Sequence, residues 1–419
     1  MSLRNDSGLH TPTLSSVARG LLPNAGARTL GDQLQAAGGR PAGFDYLRIA
    51  LSFAVVAMHS FSTSYGRAVD EALWVSPMGP FLRAVVPMFF ILSGFLVAGS
   101  FERCKTITMF LGLRAIRIYP ALSVEVILSA FLIGPFVTAL PLAHYFTDPE
   151  FGAYLLNVTG HIHYYLPGVF AETPFPRMVN AQLWTVPYEL ECYIVMAALI
   201  AFGLRRFRSV APAAVVGLTL LYFVAHLAKY DWTYVPPPGI LPGSLLIVDF
   251  LIGVSLYLYR DAVTFRRPWF IACAVLSYVA LYGMPGGEYL AIPTLAYVTI
   301  YLGLCNPRRL AIVSGADYSY GVYLYGFVVQ QAMMYWFPGL RIWWLNIIVC
   351  LPLAAVFAAL SWHFVEKPAL RAKPLLVAFD AARTRWLSAV LARAFPADRG
   401  GRPGVAAPTE PMTAQDAAR

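Results

Sequence analysis

Charge is what this 419-residue chain has least of. Only 13% of its residues are charged against 58% hydrophobic, a balance that excludes an ordinary soluble domain. Cysteine is also sparse: Cys104, Cys192, Cys273, Cys305 and Cys350 are scattered, with no Cys-x-x-Cys spacing and none between Pro141 and Gln182. No disulfide and no cysteine metal site is therefore expected. His161 and His163 have no third ligand at metal-binding spacing, so no metal is expected there either. There is no glycine-rich phosphate loop, no Gly-x-Ser-x-Gly elbow and no His-Glu-x-x-His, which disfavours soluble nucleotide-binding and hydrolase scaffolds. Met1 to Arg40 has no apolar core of the signal type, so the first apolar run is expected to direct insertion itself. No internal repeat is apparent.

What is present is apolar and long. Runs able to cross a bilayer occur near 44–64, 79–99, 119–140, 183–204, 209–227, 240–259, 268–284, 288–304, 312–336 and 342–365. The expected fold is an all-α polytopic membrane protein of about ten transmembrane helices. Basic residues fix its orientation: the great majority of the 31 Lys and Arg fall before Phe44, after Glu366, or in alternate connections. Those connections hold Arg103, Lys105, Arg114 and Arg117, then Arg205, Arg206 and Arg208, then Arg260, Arg266 and Arg267, then Arg308 and Arg309. Both termini are accordingly expected to be cytoplasmic. The net charge of +9 then reflects topology, and no nucleic-acid partner is expected.

The organisation expected is a flexible cytoplasmic tail at 1–40, a transmembrane domain at 41–370 and a largely disordered cytoplasmic tail at 371–419, within which Ala378 to Phe395 has the pattern of a surface amphipathic helix. The long external connection from Pro141 to Gln182 is rich in aromatics and prolines and reads as an ordered cap. Its aromatics suit sugar stacking, and equally a place at the membrane interface.

Candidate site residues are the ionisable groups inside the apolar runs. Arg48 and His59 are eleven residues apart, close to three helical turns, so they share one face roughly 16 Å apart along the axis. Titratable groups at such depth are functional candidates, the alternative being a headgroup-level anchor and a packed histidine. Arg114 and Arg117, at i and i+3, could clamp phosphates with forked hydrogen bonds or anchor the cytoplasmic boundary. Asn180, Gln182, Trp184 and Glu189 lie where the chain re-enters the membrane from outside. Glu125, Glu189, Glu191 and Asp249 are carboxylates in apolar runs that need partners, with arginines or tyrosines of other helices expected, and together with His59 they imply a polar interior cavity.

These pieces resemble acyltransferase family 3, integral membrane proteins that O-acylate carbohydrates and other small acceptors. The matching segments keep the family's order: Asp45-Tyr46-Leu47-Arg48 with His59, Phe89 to Phe95, Arg114-x-x-Arg117 with Ile118-Tyr119-Pro120, Leu183-Trp184 with Glu189 and Tyr193, Tyr318 to Tyr325, and Glu366-Lys367-Pro368. Each is weak alone, and six in register are specific. The resemblance implies that His59 is the catalytic histidine with Arg48 as its motif partner, that Arg114 and Arg117 serve the acyl donor, and that Glu189 and Tyr323 are recurrent polar positions. Many members continue Leu-Tyr-His where this chain has Leu324-Tyr325-Gly326, so a second histidine is absent. No soluble esterase-like domain follows the last apolar run, so the acceptor site is expected to be completed by the membrane domain or by a partner.

The implied activity is transfer of an acyl group, by default acetyl, from cytoplasmic acyl-CoA to a hydroxyl of a carbohydrate acceptor such as a lipid-linked or surface polysaccharide, in a bacterial-type inner membrane. On this reading Arg48, Arg114 and Arg117 hold the donor, His59 acts as base or transient acyl carrier with Glu189 orienting it or binding sugar, and Asn180, Gln182, Trp184 and Tyr323 receive the acceptor. The donor is acyl-CoA, no metal is needed, and the partners are the glycan acceptor and membrane lipids. The competing class is a transporter or flippase for a glycolipid or a small anionic solute, since buried charges around a polar cavity also describe carriers.

Overall fold

Each of the ten apolar runs forms a helix in the structure, a computed structural model that describes residues 28–104, 106–230, 233–310 and 317–394. Among the described residues there is no β-strand, only three isolated bridges. In chain order the helices are α1 (Leu30–Ala36), α2 (Ala42–Tyr65), α3 (Arg67–Val75), α4 (Gly79–Arg103), α5 (Ile107–Leu128), α6 (Leu142–Thr147), α7 (Pro149–Leu155), α8 (Val186–Ala201), α9 (Val210–Lys229), α10 (Gly243–Leu258), α11 (Arg267–Leu281), α12 (Gly287–Leu304), α13 (Ser319–Trp336), α14 (Trp343–Ser361) and α15 (Lys373–Ala394). Six stretches among the described residues are long and apolar enough to cross a membrane: Ala42–Tyr65, Gly79–Arg103, Ile107–Val137, Ala181–Ala201, Val210–Lys229 and Trp343–Val390. The apolar helices Gly243–Leu258 and Arg267–Leu281 are shorter. The protein is all-helical and multi-pass.

Two boundaries differ from the hydropathy pattern. The third helix starts at Ile107, not near 119, because the Thr106 side chain caps it by accepting from the Met109 amide at 3.1 Å. Arg114 and Arg117 are therefore two to three turns inside a helix, not in a cytoplasmic connection. In the ninth run the described helix is α13, and Asp317 and Tyr318 lie just before its first residue, Ser319.

The most extensive helix pair is α4 with α10. A side chain at Gly94 would run into the Phe250 carbonyl, and one at Gly253 into the Ile91 carbonyl, so the two glycines let the backbones touch. Helix α2 packs against α12, α13, α14 and α4, which surrounds the Arg48/His59 face with protein. Beyond α5 a π-turn at Ser129–Ile133 leads into the long connection before α8. That connection is folded: α6 and α7 bury Tyr145, Phe151 and Tyr154, and Gln331 of α13 donates to the carbonyls of Phe175 and Met178, both at 2.7 Å.

The segment read as an N-terminal tail contains α1, started by a reciprocal Thr29/Asp32 capping box. Leu30 is fully buried and its amide donates to the Val263 carbonyl at 2.9 Å. Among the described residues, 374–394 belong to a separate unit and hold most of α15, within which the stretch expected as a surface helix falls as far as Ala394. The expectations for 1–27 and 395–419 lie outside the described residues.

Candidate active site

Helix α2 is unbroken from Ala42 to Tyr65, so the three-turn spacing of Arg48 and His59 is preserved in the fold. Its outer half is held by a polar network. Gln330 of α13 donates to the Val56 carbonyl at 2.9 Å and to Asn346 Oδ1 at 3.0 Å. Asn346 of α14 in turn donates to Thr63 Oγ1 and Ser64 Oγ at 2.9 and 3.1 Å. The hydroxyls of Ser62 and Thr63 bond back to the His59 carbonyl. These bonds fix the helix rotation that aims His59. The half-buried imidazole itself meets the edge of Phe327, with ring centroids 5.0 Å apart at 87°. Phe175 of the external connection packs on the same Phe327 at 6.2 Å. Among the described residues no polar side chain hydrogen-bonds the His59 ring, so neither Arg48 nor Glu189 is its direct partner.

Arg48 is paired instead with Asp317, and Arg117 of α5 is paired with the same Asp317 oxygen. The other oxygen of Asp317 accepts from Ser319 at 2.6 Å. Burial disfavours ionisation of this carboxyl, but the two guanidinium groups outweigh it and hold Asp317 well below the usual carboxylate range. Two arginines from separate motifs thus meet at one point.

Arg114 leads elsewhere. Its Nη2 donates to Ser100 at 2.9 Å, its guanidinium lies 6.0 Å from the Tyr193 ring centre, and its buried Nε has no hydrogen-bond partner among the described residues. The Tyr193 hydroxyl donates to Glu189 at 2.7 Å. Glu189 and Arg114 are therefore joined through Tyr193, one helical turn below Glu189 on α8.

The residues expected to receive the acceptor are mostly committed to structure. Gln182 donates to the carbonyls of Tyr323 and Leu324, both at 2.8 Å, and Asn180 donates to Leu324 at 3.1 Å and to Glu125 at 2.5 Å. Asn180 and Gln182 are essentially unexposed. The Tyr323 hydroxyl donates to the Gln182 carbonyl at 2.9 Å and sits 2.6 Å from Thr185 Oγ1, with its ring against Phe89. Trp184, edge-on to Tyr188 at 5.9 Å, stays partly open. These side chains bind the re-entrant turn to α13.

The carboxylates expected to share one cavity are dispersed. Glu125 is held by Ser129 and Asn180, and Glu189 by a tyrosine of its own helix. Glu191 is exposed. Asp249 lines a cavity of about 40 Å³ with Arg83 and Glu288. Helix rotation, which hydropathy does not encode, decides which carboxylate faces which neighbour.

Residues that the motifs did not assign are Asp317, Phe327 and Phe175. Asp317 carried a signal: it is the sole carboxylate between Glu288 and Glu366 and stands immediately before the Tyr318-Ser319 motif. The two phenylalanines are indistinguishable in sequence from packing residues.

The chain matches the family model described as an acyltransferase domain over residues 42–365. It is similar to nodulation protein 10 of Rhizobium leguminosarum bv. viciae, 26% identical over 362 residues that cover 80% of this chain and 95% of that protein. It is also similar to the O-acetyl transferase of Shigella phage Sf6, 24% identical over 353 residues covering 80% of this chain and 97% of the phage protein. No solved structure matches it.

Proposed function

Because the chain belongs to acyltransferase family 3, we propose that it is a membrane-bound O-acyltransferase that moves an acyl group from cytoplasmic acyl-CoA to a hydroxyl of a carbohydrate acceptor, a lipid-linked or surface polysaccharide. Acetyl is the first acyl group to test, since one relative is named an O-acetyl transferase. The proposed setting is a bacterial-type inner membrane crossed ten times with both termini cytoplasmic.

The observation that carries this reading is the meeting of Arg48 and Arg117 at Asp317, with Arg48 on the helix that bears His59 three turns away. The donor set suits phosphates. Each guanidinium offers five N–H groups in a fixed fork, one carboxylate occupies only part of them, and Arg114 keeps a buried Nε–H unpaired nearby in sequence. A thioester arm running inward from that point spans a distance comparable to the roughly 16 Å between Arg48 and His59. His59 takes the proton of the acceptor hydroxyl as its oxygen attacks the thioester carbonyl, the C–S bond breaks, and the thiolate leaves and is protonated. Trp184, the partly open aromatic beside the re-entrant turn, is the proposed contact for the sugar ring.

Mass spectrometry of surface and lipid-linked glycans from cells carrying wild type, His59→Ala or no protein tests the reading. An acyl mass increment present only with wild type supports it. Full acylation with a normally inserted His59→Ala variant removes His59 from the chemistry. A changed transbilayer distribution of glycan with no acyl difference replaces the transferase by a flippase.

A further inference from the structure

Arg48 and Arg117 come from different helices, carry like charge and are only partly exposed, with side chains 22% and 31% accessible. Brought together without a counter-charge they would repel one another and turn apart toward water. A single carboxylate oxygen of Asp317 holds both, and the Ser319 hydroxyl fixes the carboxylate plane through the second oxygen at 2.6 Å. Asp317 bonds to Arg48, Arg117 and Ser319, and its charge also reaches the carboxyls of Asp45 and Glu366. The single charge of Asp317 leaves the two guanidinium groups with a net positive charge between them and most of their N–H donors, Asp45 and Glu366 being further carboxylates whose charge reaches them.

We infer that Asp317 is a positioning residue of the donor site, locking Arg48 and Arg117 at the spacing at which they grip the phosphates of the acyl donor. The inference rests on the acyl-CoA reading above. Ser319 acts behind Asp317 by setting its orientation, as outer hydrogen bonds orient a primary ligand. The opposite role would be an internal anion that fills the phosphate position and must be displaced by the donor.

The two roles predict opposite changes. Transfer from acetyl-CoA and from a short acetyl thioester lacking any phosphate is measured with purified wild type, Asp317→Asn, Asp317→Glu and Ser319→Ala in detergent or nanodiscs. Asp317→Asn is expected to raise KM for acetyl-CoA about tenfold while kcat changes little, with about a threefold rise for Ser319→Ala and partial recovery in Asp317→Glu. The phosphate-free thioester is expected to respond to none of them. A fall in KM for acetyl-CoA in Asp317→Asn overturns the inference in favour of the internal anion, and an unchanged KM overturns it outright. Should Asp317→Asn fail to fold, Ser319→Ala decides: an unchanged KM there also overturns the inference. The underlying reading fails separately, on wild type alone, if the phosphate-free thioester is used as efficiently as acetyl-CoA.

Discussion

The imidazole of His59 stands edge-on against the ring of Phe327, 5.0 Å from centre to centre. The proposed base is thus oriented by an aromatic wall and by the helix that carries it, not by a carboxylate. Such an edge contact contributes about 0.5–1.5 kcal/mol. Phe327→Ala is expected to lower kcat several-fold without changing KM for the donor, whereas His59→Ala lowers it by about 10²–10⁴. Steady-state kinetics on the two purified variants compare them, and equal losses would mean that Phe327 does more than hold the ring.

Gly326 stands where many relatives of the family are expected to have a second histidine. A Cβ there would lie 2.7 Å from Val56 Cγ2 of α2. Gly326→His is therefore expected to lower stability by about 1–3 kcal/mol through overpacking, with part of the loss recovered by Val56→Ala. Thermal unfolding in detergent measures both, and a fully stable Gly326→His protein would show that the helices can separate freely.

Gly94 belongs to the Phe89 to Phe95 motif, and its role is steric. A side chain would strike the backbone carbonyl of Phe250, which cannot retreat as a flexible side chain can. Gly94→Ala is expected to reduce the folded yield strongly. At Gly217 a Cβ would meet nothing within 4 Å, and Gly217→Ala is expected to be neutral or to stabilise by up to about 1 kcal/mol. Size-exclusion profiles of the two variants provide the comparison.

Asp70 lies on α3, outside the spans. Burial lifts its carboxyl to about 6, Glu71 adds to the rise, and the Trp74 side chain works against it. Its folded value exceeds the unfolded value of about 3.9, so the folded state binds more protons in that window. Stability is then expected to fall as pH rises from about 4 to about 6 and to level off above. Melting temperatures across that range should show the slope in wild type and lose it in Asp70→Asn.

Much of the fold is legible in the sequence. Each apolar run contains a helix because, in an apolar setting, a helix satisfies the backbone hydrogen bonds within one segment. Helix ends were less legible: the Thr106 cap drew Arg114 and Arg117 into α5, where Arg114 meets Ser100 and Arg117 meets Asp317, and no hydropathy window anticipates that. Asn180 and Gln182, expected to receive the acceptor, direct their amide N–H groups at the carbonyls of Tyr323 and Leu324. A buried amide looks alike in sequence whether it meets a ligand or a backbone.

By itself the sequence determined the helical class, the shared face of Arg48 and His59, and the family, because helix geometry and motif order are local properties of the chain. Only the tertiary structure decided that Arg48 answers to Asp317 and not to His59, that Arg117 joins it, and that Arg114 turns to Ser100 and Tyr193. Those pairings depend on how each helix is rotated against its neighbours. That rotation is set by close-packed contacts such as Gly94 on Phe250 and Gly326 on Val56, summed over the whole bundle and encoded in no single stretch.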